Sequence, residues 1–250
     1  MIYVCVVAQN HAPTVGLLLW KIRQVFLAHP REYQFLVLDD GSNDGTAELL
    51  EPYQRALPMT LFRHDAPRGF AAGVDQLFRE ALARSDRPRR DAALLVPGDF
   101  AVSPAVIPEF LKCIDSGADV VVGETTELRG TIARRLVRRS APWLLRPGVR
   151  VPGVRDFISG FCAFRLITVK RSLDERNGRL LVSDGIAARA ELVARAAAEA
   201  RQLATVQVPV RPGADPRPVR SLTLALALYR AGRQIHIPTP AAAPTHAGAS

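Results

Sequence analysis

Apolar runs of strand length alternate with segments of helical period over the first 125 residues. Ile2 to Val7 opens the chain as a buried strand. Val15, Leu18, Leu19, Ile22, Val25 and Phe26 then recur at helical spacing, with Pro13 suited to a first turn and Pro30 just past the end. Phe35 to Leu38 predicts a second strand. Asp39 to Gly45 makes a polar loop, and Leu49, Leu50, Tyr53 and Leu57 predict a helix that Pro58 stops. The scheme repeats with a strand at Met59 to Phe62, a turn at Gly69 and a helix through Val74, Leu77, Phe78 and Ala81. Ala92 to Val96, a helix from Pro104 to Ser116 and a strand at Ala118 to Val122 complete the series. Such alternation predicts βαβ units on a parallel sheet, one doubly wound half.

The pattern changes after Gly123. Arg134, Arg135, Arg138 and Arg139 stand at i,i+4 spacing beside Ile132, Leu136, Val137, Trp143 and Leu144, which predicts an amphipathic helix with a basic face. That face is either solvated or turned to a lipid surface. Further strands are expected at Phe161 to Arg165 and Val206 to Val210, separated by an Ala-rich helix from about Gly185 to Gln202 whose Glu191 is expected to face solvent. Leu222, Leu224, Leu226 and Leu228 fit a strand, while Leu222, Leu226 and Tyr229 fit a helix, so periodicity leaves that segment undecided. The expected organisation is a first half at residues 1–125, a second half of the same domain at 126–235, and a disordered Ala-, Pro- and Thr-rich tail at 236–250.

Composition narrows the class. The 250 residues are 48% hydrophobic and 23% charged, enough apolar content for one large core and unlike a disordered chain. The formal charge is +9, and only Lys21, Lys112 and Lys170 are lysines, so the excess is carried by arginine and points to anionic partners. Cys5, Cys113 and Cys162 are widely spaced, which disfavours a disulfide framework or a structural zinc site and suggests a reducing, cytoplasmic setting. No apolar run approaches the roughly 20 residues of a spanning helix, so membrane contact, if any, is expected to be peripheral at the inner face. No helix-turn-helix, zinc-finger or aromatic-basic RNA signature accompanies the charge, which argues against nucleic acid.

In open α/β sheets a ligand sits outside the carboxyl ends of the strands, and the polar loops concentrate there. Asn10, Asp39, Asp40 and Asp99 are therefore expected to converge on one crevice. Paired carboxylates at a strand end suit hydrogen bonding to base or ribose donors, unless they only shape a turn and cap a helix. A carboxylate after a later strand suits a divalent cation bridging a diphosphate, or the cap of the next helix.

The run Val37-Leu38-Asp39-Asp40-Gly41-Ser42-Asn43-Asp44-Gly45-Thr46, preceded by Val6-Val7-Ala8-Gln9-Asn10, resembles the nucleotide-binding opening of family 2 glycosyltransferases. Arg68-Gly69-Phe70-Ala71-Ala72-Gly73 is similar to that family's glycine turn, and Pro104 to Leu111 to the helix after its metal motif. Asp156-Phe157-Ile158-Ser159-Gly160-Phe161 followed by Arg165, with Val208-Pro209-Val210 before an arginine-rich loop, resembles the polyprenyl-phosphate (dolichol-phosphate) mannosyltransferase branch. The resemblance implies a GT-A fold, a Rossmann-like three-layer sandwich on a mostly parallel sheet, that binds a UDP- or GDP-hexose and transfers the sugar with inversion. It implies nucleotide contacts at Asn10, Asp39, Asp40, Gly69 and Asp99, Mg²⁺ or Mn²⁺ at Asp99, and diphosphate contacts at Arg217 and Arg220. The acceptor implied is a polyprenyl phosphate or a small molecule.

The sequence departs from the family pattern in three places. The Asp-x-Asp metal motif falls on Pro97, Asp99 and Ala101, leaving one carboxylate; the glutamate after Asn10 is His11; and the Arg-x-x-Gly-x-Ser-Lys loop is reduced to Arg217-Pro218-Val219-Arg220-Ser221-Leu222. Asp156 would act as general base for an alcohol acceptor, whereas an ionised phosphate acceptor needs none; the alternative for Asp156 is to order its own loop. The rival to an active transferase is a pseudo-glycosyltransferase that keeps the fold as a binding or scaffold subunit.

Overall fold

The computed structural model describes residues 1–125, 151–157, 159–174 and 180–211, together with 140, 225–226, 229–230, 232–233 and 245–246. The strands are β1 (Ile2–Ala8), β2 (Tyr33–Asp40), β3 (Met59–His64), β4 (Ala92–Leu95), β5 (Val120–Thr125), β6 (Cys162–Arg165), β7 (Leu203–Val208) and β8 (Thr245–His246). The helices are α1 (Ala12–Ala28), α2 (Thr46–Ala56), α3 (Phe70–Arg84), α4 (Ile107–Asp115), α5 (Leu166–Asp174) and α6 (Gly185–Glu199), with a 3₁₀ turn at Pro104–Val106 ahead of α4. The strands form one sheet in the order β3-β2-β1-β4-β6-β5-β7-β8, parallel except for β6, which runs antiparallel to β4 and β5.

The near-continuous apolar runs of β1, β2 and β4 are explained by burial on both faces, as a covered parallel sheet requires. Val4, Val6, Phe35 and Val37 pack on one face with α1, α2 and α4. Tyr3, Cys5, Leu36 and Leu38 pack on the other with α3, α5 and α6. The two cores give the three layers expected. Edge contacts between Phe110 and Phe161, 4.8 Å apart, and between Phe78 and Phe164, 5.5 Å apart, fasten the second half to the first.

Several boundaries differ from expectation, each for a local reason. β2 and β3 run on to Asp40 and His64 because the ladder continues through the pairs Asp39–Arg63 and Asp40–His64, so the two aspartates end a strand and do not begin a loop. β5 starts later and extends through Gly123-Glu124-Thr125, carrying polar residues into the crevice. β7 covers Leu203–Val208 and stops at Pro209, which has no N–H for the ladder; Val210 makes only an isolated antiparallel bridge to Val102. α5 was not expected at all. Glu191 is wholly buried, against the expectation of a solvent-facing residue, because α6 is enclosed by protein along most of its circumference.

The basic segment at Arg134–Arg139, the phosphate-loop arginines Arg217 and Arg220, and most of the Leu222–Leu228 segment lie outside the described residues, as does the expected tail apart from β8, which pairs with β7. Among the described residues no helix is long and apolar enough to cross a membrane.

Candidate active site

The carboxyl ends of β1, β2 and β4 meet at one crevice, and its two first loops are laced together by their own side chains. Asn10 adopts a left-handed conformation at φ 53°. Its N–H donates to Ser42 Oγ at 2.8 Å, and its Oδ1 accepts from Asn43 N–H at 2.9 Å. His11 N–H donates to Thr46 Oγ1 at 3.0 Å and Ala12 N–H to Asp44 at 3.1 Å. Slight burial pushes the Asp44 carboxyl up, but hydrogen bonds from the Thr46 hydroxyl and the Ala12 and Thr46 N–H groups outweigh it and hold Asp44 below the ordinary carboxylate value.

Asp39 and Asp40 end β2 on opposite faces of the sheet. Successive side chains on a strand point to opposite faces. Asp39 therefore lies on the face of Phe35 and Val37, and Asp40 on the face of Leu36 and Leu38. The Asp40 carboxylate is fully engaged: Oδ1 accepts from Arg68 N–H at 2.8 Å and from His64 Nδ1 at 2.7 Å, and Oδ2 accepts from Gly69 N–H at 2.9 Å. His64 is itself buried and meets the Gln76 amide through Nε2 at 2.8 Å. Asp40 thus holds the backbone of the glycine turn. Asp39 is different: Oδ1 accepts from Ser42 N–H at 3.2 Å, while Oδ2 is buried and accepts no hydrogen bond, with Arg63 Nε at 3.7 Å. An unsatisfied buried carboxylate oxygen is costly in a resting protein.

Two glycines are required by this arrangement. At Gly41, φ is +63° and an added Cβ would lie 2.5 Å from the backbone of Ala66 and Pro67, so the loop after β3 rests directly on the loop after β2. At Gly69, φ is +92° and a Cβ would lie 2.2 Å from Asp184 Oδ2. Asp184, 113 residues further along the chain, accepts from Ala71 N–H at 3.0 Å and so caps α3 from the second half.

Asp99 ends its loop with Oδ1 accepting from Ala101 N–H at 3.0 Å. Thr14 Oγ1 donates to the neighbouring Gly98 carbonyl at 3.0 Å, tying α1 to this turn. Among the described residues no group of three or more His, Cys, Asp or Glu side chains is placed to hold a metal ion. Pro97 and Ala101 offer no ligand side chain, so the donor set fits a cation only as one shared between Asp99 and a bound diphosphate, the way Mg²⁺ is commonly held.

Asp156 lies beside the carboxyl end of β5 and orders its own loop. Oδ2 accepts from Thr125 N–H at 3.2 Å and from Thr125 Oγ1 at 2.5 Å, and Oδ1 accepts from Ser159 N–H at 3.0 Å. Glu124 supports the same loop by accepting from Arg155 N–H at 2.7 Å, and Ser159 Oγ donates to the Gly123 carbonyl at 2.8 Å. Arg189 of α6 lies against Gly160 and over the Phe70 ring, 5.1 Å from its centre. Glu191 accepts from the N–H groups of Val182 and Ser183 and from Arg195, which fixes the turn that carries Asp184.

Sequence reasoning missed Glu124, Thr125, Asp184 and the structural work of Glu191. The available signal was the Gly123-Glu124-Thr125 run at the carboxyl end of a strand, where ligand-side residues collect. Arg165, grouped by resemblance with the Asp156 motif, sits beside Ala92 at the start of β4, at the opposite end of the sheet. It ties Asp119 to the carbonyls of Ile114 and Ala118.

The fold is an open, doubly wound α/β sheet with its polar loops gathered at the carboxyl ends of the strands around the switch point. The family model for glycosyl transferase family 2 matches residues 3–178, and the chain belongs to that family. It is 27% identical over 141 residues to a dolichol-phosphate mannosyltransferase of Pyrococcus furiosus, covering 53% of this chain and 38% of that protein. It is 26% identical over 138 residues to a polyprenol monophosphomannose synthase of Mycolicibacterium smegmatis, covering 54% and 51%. The chain therefore aligns with only part of these relatives. In fold it is similar to glucosyl-3-phosphoglycerate synthase of Mycobacterium tuberculosis, solved with Mn²⁺, UDP-glucose and glycerol 3-phosphate, at TM-score 0.64 and 19% identity over 94% of this chain and 80% of that one. It is also similar to S. aureus TarS solved with UDP-GlcNAc, at TM-score 0.55 and 17% identity over 85% and 59%. These likenesses establish the GT-A fold.

Proposed function

We propose that this chain is an inverting glycosyltransferase that takes a hexose from UDP or GDP and passes it to a polyprenyl phosphate or a small-molecule acceptor. The observation that carries the proposal is Asp39 Oδ2, a buried acceptor without a hydrogen-bond donor at the carboxyl end of β2. It suits a base N–H or ribose hydroxyl. Asn10 holds the neighbouring loop, Gly69 permits close approach of the backbone, and Asp40 positions that turn without touching the nucleoside. Asp99 would hold Mg²⁺ or Mn²⁺ together with the diphosphate, and that cation supplies charge neutralisation for the leaving group. Arg217 and Arg220 are assigned the same electrostatic task from the protein side.

Inversion follows from attack on the anomeric carbon opposite the nucleotide. The acceptor oxygen forms the new bond as the carbon–oxygen bond to the diphosphate breaks, with its electron pair leaving on the β-phosphate oxygen. A phosphate acceptor arrives ionised, so Asp156 then serves to order the acceptor loop; an alcohol must lose a proton, and Asp156 is the base proposed for it. Support comes from relatives named for dolichol-phosphate and polyprenol-phosphate mannosyl chemistry and from fold neighbours bound to UDP-sugars.

The test is transfer from radiolabelled GDP-mannose and UDP-glucose to a short-chain polyprenyl phosphate in detergent, with and without Mn²⁺. Product formation that Asp39→Asn abolishes, with folding intact, supports the proposal. Nucleotide binding without transfer to any lipid phosphate or polyol would leave a binding subunit in its place.

A further inference from the structure

A second cleft, about 510 Å³ in volume, runs along the outer side of α1. It is walled by one side of α1 from Leu17 to Ala28 with His29 just past its end, by Phe100 and the Ser103-Pro104-Ala105 turn, and by Arg211 after β7. The lacing of α1 to the crevice involves its first residues, Ala12 and Thr14. Gln24 in the cleft is ten residues further on, roughly 15 Å along a helix.

The charge of this cleft is one-sided. Lys21, His29 and Arg211 contribute to its lining, and among the described residues no Asp or Glu does. Elsewhere on the surface arginines face carboxylates, as in Arg31–Asp115, Arg79–Asp75 and Arg87–Asp86. Arg211 has no such partner among the described residues, and its Nε is buried without an acceptor. The guanidinium is nonetheless held in place. It lies over the Phe100 ring at 4.2 Å, and the Arg211 N–H donates to the Ala101 carbonyl at 2.9 Å beside the Val102–Val210 bridge. An arginine whose Nε is buried without an acceptor, held over a ring in a cleft that Lys21 also lines, with apolar Leu17, Val25 and Ala28 alongside, matches a phosphate group on a compact or aliphatic body.

We propose that this cleft is a binding site for a phosphate monoester or diester, separate from the donor crevice, in which Arg211 and Lys21 hold the phosphate oxygens. The same chemistry is offered by a soluble organic phosphate and by the headgroup of an anionic phospholipid. Its volume is within the range of small-molecule sites.

The test follows the His29 imidazole by NMR, its signal assigned with His29→Asn, in the full chain without nucleotide. Inorganic phosphate is titrated in one arm; vesicles of phosphatidylcholine with or without phosphatidylglycerol are titrated in the other. The expected result is a saturable shift that Arg211→Gln or Lys21→Gln weakens at least about tenfold while Arg79→Gln, on α3 across the sheet, leaves it unchanged. A response to phosphate identifies a soluble ester as the ligand class, and a response confined to phosphatidylglycerol vesicles identifies the lipid headgroup. The thermal midpoint of Arg211→Gln is expected to equal or exceed that of the parent, because the substitution removes a buried donor that has no acceptor. No saturable shift in either arm, or a shift that survives both substitutions, would overturn the site. A fall in the midpoint of Arg211→Gln with phosphate affinity unchanged would make Arg211 a packing residue only.

Discussion

Asp40 and His64 stand opposite each other in the β2–β3 register and are joined at 2.7 Å, both nearly sealed from solvent. The pair turns what reads as a nucleoside-binding doublet into two unlike residues. Asp40 is spent on the protein, and Asp39 keeps an oxygen in reserve.

Removing Asp40 should therefore be a folding defect. Asp40→Ala strands the Arg68 and Gly69 N–H groups and the His64 ring, for a cost of roughly 3 to 5 kcal/mol. Urea denaturation followed by circular dichroism measures it. A loss under 1 kcal/mol would mean that the glycine turn holds itself. Asp39→Asn keeps an acceptor for Ser42 N–H and should change the urea midpoint little.

Gly41→Ala and Gly69→Ala separate backbone strain from contact. Both residues sit at positive φ, where a side chain costs on the order of 1 to 2 kcal/mol. At Gly41 the added carbon also meets backbone, so that variant should be the less stable of the two by a further 1 kcal/mol or more. At Gly69 it meets the exposed Asp184 side chain, which can swing away. Parallel melts rank them, and equal losses would contradict the packing of the Ala66–Pro67 backbone on Gly41.

The thiols give a pH signature. Burial pushes Cys162 up from 9.0 to about 12, a bond from the Gly123 backbone opposing it only in part, and burial raises Cys5 and Cys113 as well. Each folded pKa lies above its unfolded value, so the stabilising contribution is complete below pH 9 and fades as pH rises from about 9 towards 12. Native protein at pH 8 should react with a thiol reagent far more slowly than unfolded protein, and its stability should fall above pH 9. Rapid labelling of Cys162 at pH 8 would contradict its burial.

Much of the fold is legible in the chain. β1, β2 and β4 are apolar on both faces because helices cover both sides of the sheet, and that leaves continuous runs such as Ile2 to Val7. The crevice is legible in outline, since Asn10, Asp39 and Asp99 all fall at carboxyl ends of strands or just beyond them. Its division of labour is not. The opposite facing of Asp39 and Asp40 depends on β2 continuing to residue 40, and the apolar pattern ends at Leu38. Asp184 and Glu124 find partners 113 and 31 residues away, and nothing in their own neighbourhoods announces such pairing. Glu191 looks solvent-facing because a small Ala-rich helix gives a weak stripe, and burial on nearly every side reverses the expectation.

The central claim is that the crevice binds a nucleotide through Asp39. Isothermal titration of UDP and GDP into the protein, with and without Mn²⁺, tests it directly when repeated with Asp39→Asn. Saturable binding by at least one nucleotide, weakened tenfold or more in the folded variant, is the predicted result. Equal affinity in parent and variant, or no heat from either nucleotide, would contradict it.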